Sequence, residues 1–353
     1  MKPVYLSGRG LACALGLDVA ASLESLRQGG VSTSHYSLPG VLGGFVPYRA
    51  IPYSQNDWNE RARYLVRRVA TEAGAQQARS GALFIATSSF DIGDMEQDRT
   101  QMDYTDFAGK ISGWLDWSGP VYVFNTACTS SLNALIAAQA LLSKGEAEEA
   151  LVLGIELDNQ LTLGGFAALQ LLSPGSSKPF GVNRDGLVLG EAVAALRLST
   201  RESAQWKLLG GANVVDGSQP TGASASAVVS MYQRALAASE LAAEAIDVIK
   251  VQAAGSPRND AVEAQGLRDS FQQMPRLISL KAALGHCMGA SGAAEIALLV
   301  ACLDQGVWPQ YEVEADARLG VVLATSAPDS VRNVMATILG FGGSHATVVL
   351  GRA

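Results

Sequence analysis

The sequence is poor in the residue types that define several protein classes. Only 17% of its 353 residues are charged, and the 26 basic side chains are outnumbered by 33 acidic ones, for a net charge of −7. This balance provides no cationic surface for a phosphate backbone, so nucleic acid is not expected as a partner. The four cysteines are widely spaced and form no CxxC pair. We therefore expect neither a metal site nor a secreted disulfide scaffold, and a reducing compartment.

Long apolar segments are also missing. No uninterrupted apolar run reaches the roughly 18 residues that would predict a membrane span. Residues 1–17 contain Gly, Ser and Arg at intervals, unlike a signal peptide. These features favour a cytoplasmic protein. What the chain does have is 48% hydrophobic residues and 37 glycines, a composition typical of a deeply buried α/β enzyme.

Strand-like and helix-like patterns alternate along the chain, which predicts an α/β fold. In the first half we predict strands at 4–10, 82–90, 121–128, 149–156 and 191–199, with helices at 18–30 and 130–145. In the second half we predict strands at 207–215, 246–255 and 277–285, a helix at 290–306, and a strand pair within 331–352. The similar rhythm of residues 1–200 and 201–353 suggests an internal duplication, although no fixed-period repeat is visible.

A cysteine lies in a turn of small residues between a predicted strand and a predicted helix. Residues 124–135 read FNTACTSSLNAL, with Cys128 next to the helix start. Backbone N–H groups at that helix end would lower the thiol pKa and could also bind an oxyanion. Since free cysteines are usually buried packing residues, Cys128 is either a nucleophile or a small core residue, and its hydroxylated neighbours favour the nucleophile.

The sequence contains only three histidines that could assist such a thiol. His35 lies in a polar segment and is interpreted as a surface residue. His286 follows Gly285 at a predicted strand-to-helix turn, where it could face a pocket or could be a hydrogen-bonded core residue. His345, in the glycine-rich GFGGSHA turn, could equally line a pocket or have a structural role.

Four motifs together resemble the elongating β-ketoacyl-acyl carrier protein synthases and the polyketide ketosynthases. They are NTACTSS around Cys128, PFGVNRDGLVLGE at 179–191, KAALGHCMGASGAAE at 281–295 and GFGGSHA at 340–346. They occur in the family's order across almost the whole chain. The resemblance implies a thiolase-like αβαβα sandwich of two similar halves, residues 1–200 with Cys128 and residues 201–353 with His286 and the GFGG turn, usually in a dimer.

The resemblance also implies roles for individual residues. Cys128 would accept an acyl group from the phosphopantetheine of an acyl carrier protein, with no other cofactor. The N–H groups of Cys128 and Phe341 would form the oxyanion hole, and Phe341 resembles the family's gating residue. His286 would stabilise the enolate that forms when a malonyl thioester loses carbon dioxide. The positions that match supporting residues of the family, some of which could otherwise be surface charges, are Lys281, Glu295, Asp260, Glu263 and Gly342.

The segment QAAGSPRND at 252–260 departs from the family pattern. Gln252 stands where the family has a catalytic histidine, and its amide cannot act as a general acid or base. Of two threonines that usually hold the pantetheine arm, one position is Ala254 and the other is Ser256, which keeps a hydroxyl. His345 stands where asparagine is usual. Only about 30 residues separate 82–90 from 121–128, fewer than an elongating synthase would have.

Three functional hypotheses follow. The chain is a ketosynthase-like protein that accepts an acyl group on Cys128 but condenses poorly or only with a complete ketosynthase as heterodimer partner. Alternatively, it is an active condensing synthase that uses Cys128 and His286 alone, with Gln252 supplying only a hydrogen bond. In the third hypothesis it is a catalytically silent subunit that resembles a chain length factor. The intact NTACTSS motif argues against the third.

Overall fold

A computed structural model describes residues 2–41, 43–98 and 104–353 as a mixture of strands and helices. The strands are β1 (Val4–Cys13), β2 (Ser34–Ser37), β3 (Phe45–Arg49), β4 (Ala82–Ala86), β5 (Val121–Phe124), β6 (Glu149–Glu156), β7 (Leu189–Gly190), β8 (Ala192–Ser199), β9 (Trp206–Val215), β10 (Val248–Lys250), β11 (Arg276–Ile278), β12 (Asn333–Leu339) and β13 (Ser344–Arg352). The helices are α1 (Val19–Arg27), α2 (Trp58–Glu72), α3 (Ile92–Asp98), α4 (Tyr104–Trp114), α5 (Ser130–Ser143), α6 (Gln160–Ala168), α7 (Ala225–Ala238), α8 (Pro257–Ser270), α9 (Lys281–Leu284) and α10 (Ser291–Gln305).

The main sheet has ten strands and contains the same strand order twice. From its centre, where β1 pairs antiparallel with β9 through Val4 and Leu208, one side runs β1-β8-β6-β4-β5 and the other β9-β13-β12-β10-β11. Counted in chain order within each group of five, both sides read 1-5-4-2-3. The strands up to Ser199 and the strands from Trp206 onward therefore share one topology.

Helices α5 and α10 lie between the two five-strand halves of this sheet. Helix α5 contacts β4 and β6 on one side and β9 and β13 on the other, and α10 contacts β6 and β8 as well as β12. Residues 291–302 of α10 are all buried, as expected for a helix that is apolar on nearly every face. Helices α2 and α4 cover one outer face and α7 and α8 the other. The result is the five-layer αβαβα arrangement predicted from the sequence.

Several predicted strands end earlier in the structure than expected. Strand β5 stops at Phe124, before Cys128, and β4 stops at Ala86. Strand β10 stops at Lys250; Val251 N still bonds to Ile278 O, but the N–H groups of Gln252 and Ala253 turn toward the Glu263 carboxylate of α8. A small sheet of β2, β3 and β7 was not predicted; exposed His35 lies in β2 rather than in a loop. No helix in the described ranges is long and apolar enough to cross a membrane.

Candidate active site

The turn between β5 and α5 presents Cys128 at the N-terminal end of α5. Ala127 adopts a φ of +52°, a left-handed conformation that is uncommon for a residue with a side chain and often marks functional turns. The Ser130 hydroxyl accepts a hydrogen bond from Thr126 N at 3.0 Å and fixes the turn from inside. Cys128 is only 4% exposed. The turn therefore holds the sulfur in the interior between the two halves.

His286 meets Cys128 across these halves. Its Nε2 lies 3.0 Å from Cys128 Sγ, although 158 residues separate the two in sequence. On the other side of the ring, Nδ1 lies 3.2 Å from Ser291 Oγ at the start of α10. The backbone N–H of His286 donates to Val188 O at 2.7 Å, within the GLVLGE motif. Three of the four sequence motifs thus converge on one sulfur–imidazole contact.

Burial decides the protonation state of this pair. It raises the pKa of the Cys128 thiol to about 11, against the opposing effects of the Phe341 N–H and the Lys281 charge. The predicted lowering of the thiol pKa by the helix end is therefore wrong, because desolvation outweighs the effects of the nearby N–H groups and of the Lys281 charge. Burial, with help from the Lys281 and Lys250 charges, also holds the pKa of His286 well below its usual range. The resting pair is a neutral thiol beside a neutral imidazole.

The turn Phe341–Gly343 covers the sulfur from the other side. The backbone N–H groups of Phe341 and Cys128 both act on the thiol and favour negative charge there, which is what an oxyanion hole requires. The Phe341 ring stacks on Phe166 of α6, with centroids 5.3 Å apart and planes 15° apart. Gly342 and Gly343 have φ of +73° and +76°, so the turn depends on glycine.

Lys281 and Glu295 form a buried ion pair behind the histidine, and a second lysine joins them. Lys281 Nζ donates to Glu295 Oε1, while Lys250 Nζ donates to Glu295 Oε2 and to Thr337 O. Both lysines are at most 1% exposed. Burial lowers the pKa of Lys250 to about 8. Sequence reasoning missed Lys250; the signal was a lysine among the apolar residues of VIKV at 248–251.

The predicted residues of the Gln252 segment shape a buried loop. Glu263 accepts hydrogen bonds from the N–H groups of Gln252 and Ala253, both at 2.7 Å. Asp260 accepts from the N–H groups of Phe180, Ala254, Gly255 and Ser256. The Ser256 hydroxyl caps α8 by accepting from Asn259 N. Burial raises the pKa of Asp260 to about 6 and that of Glu263 to about 7. Both carboxylates are buried rather than solvated.

Two further side chains of this region are buried without an obvious chemical role. Gln252 Oε1 has no hydrogen-bond partner among the described residues, and the same holds for both ring nitrogens of His345.

Glu156, at the end of β6, was not predicted. Its carboxylate accepts from Ser88 N and from the hydroxyls of Ser88 and Ser89, and its charge opposes ionisation of Cys128.

A five-layer fold of two like halves, each contributing one member of a buried cysteine–histidine pair, defines a thiolase-like protein. The sequence then gives the family. The model for "Beta-ketoacyl synthase, N-terminal domain" matches residues 66–204, and that for "Beta-ketoacyl synthase, C-terminal domain" matches residues 208–312. The chain belongs to the beta-ketoacyl synthase family.

Curated relatives of the chain include fatty acid and polyketide synthases. The chloroplastic 3-oxoacyl-[acyl-carrier-protein] synthase II of Arabidopsis thaliana is 31% identical over 262 residues, which is 67% of this chain and 48% of the relative. The 3-oxoacyl-[acyl-carrier-protein] synthase 2 of Mycobacterium tuberculosis is 28% identical over 252 residues, covering 64% of this chain and 60% of that protein. The chain thus spans about half the length of these relatives.

Solved structures agree on the fold. A chain from the complex of a ketosynthase with its chain length factor from Xenorhabdus doucetiae superposes with a TM-score of 0.87 at 24% identity, covering 100% of this chain and 98% of that one. A beta-ketoacyl synthase from Burkholderia phymatum gives a TM-score of 0.82 at 22% identity, with both chains covered completely. At these identities the likeness establishes the fold alone.

Proposed function

We propose that the chain is an acyltransferase of the 3-oxoacyl-[acyl-carrier-protein] synthase type that takes an acyl group onto Cys128. The observation that carries the proposal is the 3.0 Å contact between the buried Cys128 Sγ and His286 Nε2. As the sulfur attacks the thioester carbonyl of an acyl carrier, His286 takes the thiol proton. The N–H groups of Cys128 and Phe341 stabilise the oxyanion. The carrier's carbon–sulfur bond then breaks, and its thiolate leaves with the proton.

Condensation is the weaker half of the reaction in this proposal. When a malonyl thioester loses carbon dioxide, the electron pair of the broken carbon–carbon bond forms an enolate. The enolate carbon then attacks the acyl group on Cys128 and releases the thiolate. His286 is the imidazole available to stabilise this enolate, because Gln252 does not titrate. We therefore expect acyl transfer to outpace decarboxylation in the isolated chain.

The proposed partners follow from the difference between efficient acyl transfer and weak condensation. An acyl carrier protein delivers the acyl groups on its phosphopantetheine, and no resident cofactor is needed. The working unit is either a homodimer or a heterodimer with a complete ketosynthase, in the cytoplasm. A pairing of ketosynthase and chain length factor is named for one structure of the same fold, which supports the heterodimer. The preserved Cys128–His286 contact supports an acylating chain over a silent one.

The test is a parallel assay of the purified chain with acyl-carrier and malonyl-carrier thioesters. Intact mass reports the adduct on Cys128, and trapped radiolabelled carbon dioxide reports decarboxylation. We expect an adduct that is absent in Cys128→Ala, with little carbon dioxide released. Absence of an adduct, or an equal adduct on Cys128→Ala, would overturn the proposal. Fast β-ketoacyl product formation that depends on Cys128 would instead establish an active synthase that works without a second imidazole.

A further inference from the structure

The buried ammonium of Lys250 has no role in the chemistry derived so far. A lysine in the protein interior is costly unless its charge is compensated. Lys250 is 0% exposed, and the carboxylate that it binds, Glu295, is already paired with Lys281. Either lysine alone would neutralise Glu295. The structure therefore keeps one more buried cation than this ion pair requires.

Lys250 faces the layer that contains the site. Val248 packs in the central core with α10, whereas Ile249 and Val251 pack in the outer core with α7 and α8. Side chains alternate along a strand, and Val251 N still bonds to Ile278 O at 2.9 Å. The side chains of Lys250 and Gln252 therefore lie on the central face, toward α10 and the site.

The titratable groups around the Cys128–His286 pair come from five elements. They are the neutral thiol of Cys128 before α5, Lys250 on β10, Lys281 on α9, Glu295 on α10 and Glu156 at the end of β6. Glu156 accepts hydrogen bonds from Ser88 and Ser89, and burial raises its pKa. Glu263, the other carboxylate that acts on Lys250, is engaged by two backbone N–H groups and has a pKa raised to about 7. It carries only part of a negative charge near neutral pH.

We propose that Lys250 is a positioning residue whose surplus positive charge makes the Cys128–His286 site selective for an anionic reactant and intermediate. The inference rests on the proposed function and names what the site favours: the carboxylate of a malonyl-type thioester and the enolate that it yields. Fixed charge in a water-poor site is an effective way to stabilise developing negative charge. Lys250 acts through space and through Glu295, without contact with substrate. Lys250 lies two residues before Gln252 and carries a charge, whereas the Gln252 amide carries none.

His286 provides a readout that does not depend on activity. The low pKa of His286 has the Lys250 and Lys281 charges among its causes, after burial. Removing the Lys250 charge should therefore raise the His286 pKa. With three histidines in the sequence, NMR titration of histidine-labelled protein resolves each ring.

The experiment compares wild type, Lys250→Met and Lys250→Gln with Lys144→Met, which removes an exposed lysine at the end of α5. Both Lys250 variants leave Glu295 paired with Lys281. We expect a higher His286 pKa in both, about tenfold slower carbon dioxide release from malonyl-carrier thioester, and acylation of Cys128 within about twofold of wild type. Lys144→Met should change none of these.

The outcomes separate this inference from the function on which it rests. An unchanged His286 pKa, or equal losses in acylation and decarboxylation, would overturn the role of Lys250. If wild type forms no adduct and releases no carbon dioxide, the proposed function fails while the NMR titration still decides the electrostatic claim. If neither variant folds, the pH profile of wild type decides, because the pKa of Lys250 is lowered to about 8. Carbon dioxide release that falls as the pH rises through 8, while acylation does not fall, supports the claim, and release that does not fall refutes it.

Discussion

Alkylation of Cys128 by iodoacetamide tests the electrostatics of the site most directly. A thiol whose pKa is about 11 is ionised at pH 7.5 in roughly one molecule in three thousand, whereas an ordinary thiol of pKa about 8.5 is ionised in about one in ten. The more basic thiolate is intrinsically more nucleophilic and recovers roughly tenfold of this 300-fold deficit. Cys128 should therefore react roughly 20- to 30-fold more slowly than a cysteine of the unfolded chain.

The pH profile distinguishes this deficit from poor access of the reagent. Poor access of the reagent lowers the alkylation rate by the same factor at every pH. A raised thiol pKa instead gives a tenfold rise in rate per pH unit that continues through pH 9.5. Intact mass between pH 7 and 9.5 measures the rate, and Cys128→Ala corrects for the three other cysteines. His286→Ala should keep the slope, because a neutral imidazole contributes no charge. A plateau below pH 9 would show a stabilised thiolate and refute the reasoning.

Three other predictions follow from named contacts. Gly343→Ala should lower the free energy of unfolding in urea by about 3 kcal/mol or more, since its Cβ would lie 1.7 Å from Asp216 O. The matched Gly342→Ala, also at positive φ but in open space, should cost only about 1 kcal/mol; equal losses would contradict the clash. Glu263 has a folded-state pKa raised to about 7, so its stabilising contribution is complete below about pH 4 and is lost as the pH rises through 7. Glu263→Gln should therefore flatten the fall in Tm between pH 5 and 7.5, and an unchanged slope would rule this out. Gln252→His should raise carbon dioxide release from malonyl-carrier thioester about tenfold or more; an unchanged rate would contradict the role assigned to the missing imidazole.

The interior position of the two central helices could be recognised because its signal is local. Helices α5 and α10 carry small apolar residues on nearly every side, and helices of that kind are usually interior. The five-layer order itself was implied by the resemblance to a known family. The turn that holds Cys128 was likewise recognisable from consecutive residues. Strand β7 could not be recognised from consecutive residues, because Leu189 and Gly190 form a strand only through pairing with distant β3.

The electrostatics of the site could not be predicted, since they depend on burial and on distant partners. The helix end next to Cys128 predicted a low pKa, but the depth of the sulfur depends on the packing of both halves. Lys250 gave the same difficulty: its partner Glu295 is 45 residues further along. In sequence it is one charge in an apolar strand, and nothing nearby says that it is paired.

The 158-residue separation between Cys128 and His286 also governs what happens while the chain folds. Contacts so distant in sequence form late, because the intervening chain must first be ordered. Until then the Cys128 thiol is solvated and ionises near the ordinary value of about 8.5, whereas it is buried in the finished protein. Oxidants would therefore damage newly made chains more readily than mature ones, and the protein is most vulnerable before its active site exists.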